Sequence, residues 1–182
     1  MFVLKVDQDI ELQLFQLHHC EELFQLVDHN RNHLREWLPW VDNMTSPIQY
    51  HEIIPIWLKA FAENNGINAG IRYKGQLAGC IGFHQIDWTN KQTSIGYYLG
   101  RGFERKGIMT RTVQALVNYA FLDLNLNRLE IRCGVGNKKS RAIPERLGFV
   151  QEGIIRDGEY LYNHYHDLVV YGMLARDWGN ND

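Results

Sequence analysis

Gly102-Phe-Glu-Arg-Lys-Gly-Ile-Met-Thr110 lies between two different periodicities, and the change of period across it decides the fold. Before it, Ile95, Tyr97 and Leu99 alternate with Ser94, Gly96 and Tyr98, the period of two of a β-strand. After it, Met109, Val113, Leu116, Val117, Ala120 and Leu124 recur at three- and four-residue spacing, one face of a helix. Such a junction leaves the first amides of the helix without intrahelical partners, and the helix dipole adds to the charge of Arg105 and Lys106. The turn is predicted to hold an anion, and a phosphorylated ligand is the expected guest.

Two common phosphate loops are excluded by their letters. In a P-loop, Ile108 and Met109 would have to be Lys and Ser/Thr, although Gly102 and Gly107 are correctly spaced. The dinucleotide fingerprint Gly-x-Gly-x-x-Gly ends here in Arg105, which keeps helix and strand apart. Glu104-Arg-Lys-Gly-Ile-Met109 instead resembles the acetyl-CoA pyrophosphate loop of the GNAT superfamily of N-acetyltransferases, Arg/Gln-x-x-Gly-x-Gly/Ala. Glu104 and Met109 depart from that pattern, while Gly-Ile-Met-Thr is familiar in the RimJ/RimL branch. Further along, Arg128-Leu-Glu-Ile-Arg-Cys133 alternates as a strand and leads through Asn137-Lys-Lys-Ser140 to Leu147-Gly-Phe149. This is similar to the family's Asn-x-x-Ser…Leu-Gly-Phe segment, whose helix runs beside the pantetheine arm. Asn137 is the expected N-cap and Gly148 the expected terminating glycine. Pro144 is expected to kink or shorten the helix, because its ring opposes the carbonyl four residues back. Trp37-Leu-Pro-Trp40 is similar to a signature of the RimJ/RimL branch, whose characterised members acetylate N-termini of ribosomal proteins.

The resemblance implies an α/β, GNAT-type fold: a mixed, mostly antiparallel sheet of about seven strands with flanking helices, in a single domain over 1–182. The patterns agree. Residues 10–14 read as a first strand, 18–29 and 31–37 as helices, and 48–63 as a helix permitted by Pro47 and punctured by Pro55. Residues 68–73 and 76–83 read as a hairpin around Lys74-Gly75, followed by a turn at 87–91 and a strand from Thr93. Residues 150–156 and 165–174 read as two closing strands.

Acetyl transfer from a thioester to an amine needs a neutral amine, a stabilised oxyanion and a proton for the leaving thiolate. Family members place a Glu shortly after the sixth strand, in a segment that reads here Arg156-Asp-Gly-Glu159, so Glu159 is the candidate base. Its alternative is a solvated loop carboxylate. The branch places the Ser of Asn-x-x-Ser near the thioester sulfur, which makes Ser140 the candidate acid or thiolate hydrogen-bond donor. Its alternative is a hydroxyl that bonds the helix backbone. The fold implies the Leu99 N–H as oxyanion donor. Acetyl-CoA is expected on Tyr98, Leu99, Arg105, Lys106, Gly107, Ile108, Met109, Thr110, Asn137 and Arg141, and the acceptor beside Trp37 and Trp40. Those tryptophans also suit a core around Pro39.

Composition narrows the classes. With 182 residues, 45% hydrophobic content and a formal charge of −2, the chain suits a globular domain and gives no reason to expect direct nucleic-acid binding. Cys20, Cys80 and Cys133 form no Cys-x-x-Cys pair, so neither a zinc ribbon nor a disulfide framework is indicated. His164 and His166 share a strand face, but two histidines make a weak metal site, and no metal is expected. The first residues lack a signal-peptide layout, and no apolar run approaches the ~18 residues of a membrane span, so a cytoplasmic protein is expected. Three readings remain: an acetyltransferase for a protein N-terminus of ribosomal type, one for a small amine (amino acid, polyamine or aminoglycoside), or a non-catalytic acyl-CoA-binding module. A homo-oligomer is compatible with each.

Overall fold

The computed structural model describes residues 3–179, so Met1 and Phe2 of the N-terminal reading, and positions 180–182 of the domain span, lie outside the described residues. Eight strands form one sheet: β1 (Val3–Lys5), β2 (Ile10–Leu14), β3 (Ile67–Tyr73), β4 (Gln76–Phe83), β5 (Gln92–Leu99), β6 (Arg128–Gly134), β7 (Val150–Leu161) and β8 (His164–Leu174). Their order is β1-β2-β3-β4-β5-β6-β8-β7, and every neighbouring pair is antiparallel except β5 and β6. The expected seven strands become eight because β1, three exposed residues long, pairs with β2 at the sheet edge. Two-residue turns close both long hairpins. Lys74 and Gly75, and likewise Tyr162 and Asn163, adopt left-handed φ values of 51°, 81°, 47° and 72°, as a type I′ turn requires.

Five helices cover the two faces: α1 (Cys20–His29), α2 (Arg31–Leu34), α3 (Tyr50–Ala62), α4 (Ile108–Asn118) and α5 (Lys138–Arg146). Alternation along the strands divides the core. Ile10, Ile71, Ile81, Ile95 and Ile131 pack against Ile108, Val113 and Leu116 of α4 on one face. Phe15, Leu77 and Cys80 pack against Leu23 and Val27 of α1 and Tyr50 and Ile54 of α3 on the other. Burying a side chain of this size contributes ~1.5–3 kcal/mol, so both faces are strongly specified.

Several boundaries differ from the sequence reading. The helix expected over 31–37 stops at Leu34, and Trp37–Trp40 continues as turns around Pro39. The helix expected from residue 48 begins as a 3₁₀ turn, Pro47–Gln49, capped by Ser46 and Gln49, before α3 starts at Tyr50. Helix α4 widens into a π turn at Tyr119–Asp123. Pro144 neither ends nor shortens α5, which runs through it to Arg146. The strand expected over 150–156 extends to Leu161, with register shifts at Gln151/Gly153 and Ile155/Glu159. No helix among the described residues is long and apolar enough to cross a membrane.

Candidate active site

The site forms where β5 and β6 part. Their parallel ladder holds only Gln92↔Arg128, Thr93↔Leu129 and Ser94↔Glu130, and the strands then diverge. On its other side β5 stays paired with β4 through Leu99, where the Gly100 N–H bonds the Ala78 carbonyl at 2.8 Å and the His84 N–H bonds the Ser94 carbonyl at 2.9 Å. Because amides alternate sides along an antiparallel strand, the N–H groups of Tyr97 and Leu99 point into the gap. The anticipated oxyanion position, Leu99, therefore lies where a strand amide lacks a ladder partner.

Beyond the gap is the glycine turn. Gly107 is the N-cap of α4 with φ 68°, a conformation that disfavours any side chain, and Arg105 before it has φ 62°. Ile108 and Met109 are buried in the core against the sheet, with 1% and 7% exposure. The first turn of α4, whose leading N–H groups lack intrahelical partners, is the position at which the sequence reading expects an anion. Lys106 lies over the rings of Tyr73 and Phe103, at 5.6 and 5.4 Å. Glu104, the acidic departure, is paired within the fold with Lys139, whose Nζ is 2.8 Å from its carboxylate, and His33 Nε2 lies 3.4 Å from it. Thr110 Oγ1 accepts from Arg146 at 2.7 Å, tying α4 to α5 rather than pointing at a ligand.

Helix α5 starts at the same end of the gap. The Asn137 side chain accepts from the Ser140 N–H at 3.1 Å, the anticipated N-cap, and Gly148 takes φ 77° at the other end. Ser140 Oγ lies 3.2 Å from Cys133 Sγ and donates to the Tyr97 hydroxyl at 3.4 Å, while Tyr97 donates to the Ser140 carbonyl at 3.0 Å. Burial pushes the Cys133 thiol up, so it stays protonated there. Arg141 is spent inside the protein, on Tyr171 at 3.0 Å and the Val135 carbonyl at 2.9 Å.

The opposite face carries the second half of the site. Trp37 lies over the backbone of Gly134 and Gly136, where a Cβ would meet its ring at 3.0–3.2 Å, and meets His166 edge-on with centroids 6.3 Å apart. Glu159 pairs with His166 across β7 and β8, so the two side chains share that face. It is a half-buried strand residue, not a loop carboxylate, and burial raises its carboxyl above the ordinary range while His166 opposes the rise. Tyr98 also points this way, against Trp40 at 5.6 Å, rather than toward α4. Trp40, Trp57, Met44, Leu38 and Tyr98 line a cavity of about 310 Å³, and no acidic side chain lines it. At its wall the buried Tyr50 hydroxyl has no hydrogen-bond partner among the described residues. Its hairpin-side rim is clamped by Tyr162, which donates to the Leu38 carbonyl at 3.1 Å and lies under the Arg35 guanidinium at 4.3 Å.

The structure places Gly107, Asn137 and Ser140 at the starts of α4 and α5, and Trp37, Trp40 and Glu159 on the opposite face, while Tyr97 and Tyr50 are not among the residues the sequence singles out for the site. Tyr97 had one available signal, since Pro144 removes the helix donor that the Ser140 carbonyl would otherwise use. No group of three metal-ligating side chains occurs among the described residues.

The splayed strand, the glycine-led start of α4 and this strand order define an acyltransferase fold. Residues 9–150 match the family model described as Acetyltransferase (GNAT) domain, and the chain belongs to that family; it is an N-acetyltransferase. It is 44% identical to YdaF of Bacillus subtilis (strain 168) over 98% of both chains. It is 28% identical to the ribosomal-protein-serine acetyltransferase of Escherichia coli (strain K12), over 94% of this chain and 96% of that one. Its fold superposes, with a TM-score of 0.93 and 28% identity over 97% of this chain and 99% of the other, on RimL, a ribosomal L7/L12 alpha-N-protein acetyltransferase, in complex with coenzyme A.

Proposed function

We propose that this protein transfers the acetyl group of acetyl-CoA to the N-terminal α-amine of a protein, of ribosomal type, in the cytoplasm, with residues 1–182 acting as one GNAT domain. The observation that carries this reading is the two-sided gap, with an amide cradle on the α4 face and an uncharged aromatic cavity on the other. The pyrophosphate sits on the amides of Ile108, Met109 and Thr110, with Arg105 and Lys106 at the rim and Gly107 keeping the approach open. Asn137 offers its Nδ2 to the pantetheine arm, because its Oδ1 is committed to the helix cap. Tyr98 and Arg141 act through the backbone and through support of α5, not by side-chain contact with the cofactor.

Acceptor and thioester then meet from opposite faces. An α-amine, with a reference pKa near ~8, loses its proton more readily than lysine at ~10.4. Glu159, on the aromatic face, takes that proton. The amine nitrogen attacks the thioester carbonyl carbon, the Leu99 N–H bonds the developing oxyanion, and the C–S bond breaks. The thiolate leaves on the α5 face, where Ser140 donates a hydrogen bond to it; the proton that the nitrogen sheds on becoming an amide passes to the sulfur through the Ser140 hydroxyl, which gives one proton and takes one. Base and acid thus occupy separate faces, as the direction of transfer demands.

The cavity supports a peptide end over a polycation. A polyamine or aminoglycoside carries several charges that need carboxylates, and the cavity wall has none, Glu159 being a single carboxylate outside its lining. The serine specificity in the name of the Escherichia coli relative supports the same acceptor class. The test is free-thiol release from acetyl-CoA with short peptides, free amino acids, polyamines and aminoglycosides under one condition. Peptides beginning with Ser or Ala are expected to be used best. Preference for a small amine with no peptide used overturns the acceptor, and no thiol release with any acceptor overturns turnover itself.

A further inference from the structure

We propose that Tyr97 is the positioning residue for Ser140, and that Pro144 is what makes it necessary. The inference rests on the reading of Ser140 as the group facing the thiolate.

The Ser140 carbonyl would ordinarily accept the N–H of residue 144, but proline has none, and its ring crowds that carbonyl. The chain contains a second helix-interior proline, which shows what happens without such a partner. Pro55 and His51, four residues before it in α3, are both exposed, so water can satisfy the freed carbonyl. Pro144 is buried, and the freed carbonyl receives the Tyr97 hydroxyl at 3.0 Å instead. Having given its one proton to that carbonyl, the Tyr97 oxygen can only accept, and Ser140 Oγ donates to it at 3.4 Å. One phenol therefore holds both the backbone and the hydroxyl of Ser140. The two bonds are unequal. The 3.0 Å bond fixes the residue, whereas the 3.4 Å bond is long enough for the hydroxyl proton to turn to a forming thiolate at little cost. Tyr97 stands on β5 between the amide-bearing gap and α5, so it sets the distance from the strand to the serine.

The pair predicts a rescue that a merely structural tyrosine would not show. Tyr97→Phe should lower kcat about tenfold while the KM for acetyl-CoA stays within about twofold, because Ser140 drifts but the cradle on α4 is untouched. Pro144→Ala returns an N–H to the helix, so Tyr97→Phe made together with Pro144→Ala should recover to within about threefold of the natural kcat. The double variant also secures the test should Tyr97→Phe alone fail to fold. Melting temperatures read the same cycle independently: Tyr97→Phe should destabilise the protein with Pro144 present and much less with Pro144→Ala. Equal losses in both backgrounds, or an unchanged kcat in Tyr97→Phe, would overturn the assignment. Ser140→Ala separates this from the underlying reading. If it retains full kcat while the stability cycle still shows coupling, the role of Ser140 fails and the Tyr97–Pro144 pair survives as a structural device only.

Discussion

Glu159 is the residue on which the proposed chemistry turns, and its surroundings make its behaviour measurable. Burial raises its folded pKa, so the ionised base is lost at a higher pH than for a free glutamate. The acid limb of kcat against pH should therefore sit above the usual carboxylate range. Glu159→Gln should lower kcat ~10²-fold or more and abolish that limb, while acetyl-CoA affinity measured by calorimetry is unchanged. Full activity of the glutamine variant at neutral pH would remove Glu159 from the mechanism. At the other end of the site, Gly107→Glu places an anionic side chain at φ 68° in the phosphate cradle. Acetyl-CoA binding should vanish with it, and undiminished affinity would sink the cradle. Legibility at this scale followed distance along the chain. Gly107, Asn137 and Ser140 belong to local patterns, whereas Tyr97 bonds a residue 43 positions away and Trp37 rests on Gly134 and Gly136. Nothing in the period of a strand announces such a partner.

Among the elements, α5 offers the simplest ledger. Its N-cap is the Asn137 side chain on the Ser140 N–H, so Asn137→Ala should cost ~1 kcal/mol in chemical denaturation. Asn137→Asp, which can keep that hydrogen bond, should cost clearly less. If both variants lose equally, the cap is not the source of the loss. The strand-turn-helix from β5 to α4 was legible because two clean periods meet at one glycine. Strand β7 was not. Its register shifts twice and Asp157 takes φ 49°, so the alternation that would have carried the strand past residue 156 is broken where Glu159 must be aimed. Strand β1 was illegible for another reason: three exposed residues at an edge carry no burial pattern at all.

For the molecule as a whole, the link between α1 and the sheet carries a pH signature. Glu22 bonds Arg72 of β3 through both carboxylate oxygens, with Nη2 at 2.6 Å from Oε2, and that hydrogen bonding lowers the Glu22 pKa. A depressed pKa means the contribution is present above the ordinary glutamate range and is lost as pH falls through the folded value. With 43% of the Glu22 side chain exposed, screening limits it to less than about 1 kcal/mol. Glu22→Gln should lower the melting temperature at pH 7 and leave it nearly unchanged near pH 3, and a loss of equal size at both would refute the link.

The parting of β5 from β6 has a consequence for motion. Within the sheet, among the described residues, the β5–β6 ladder that joins strands β1–β5 to β6–β8 has three residue pairs, so the sheet has a seam beyond Ser94 that bound cofactor would bridge from the outside, as a surrogate strand. Amides on the two edges of β5 should then exchange with solvent deuterium at different rates. Gly96 and Tyr98, facing β4, should be slow, and Tyr97 and Leu99, facing the seam, fast. Acetyl-CoA should slow the second pair selectively and draw the two halves into one cooperative unit, whereas protection spread evenly over β5 would show that the halves already open together.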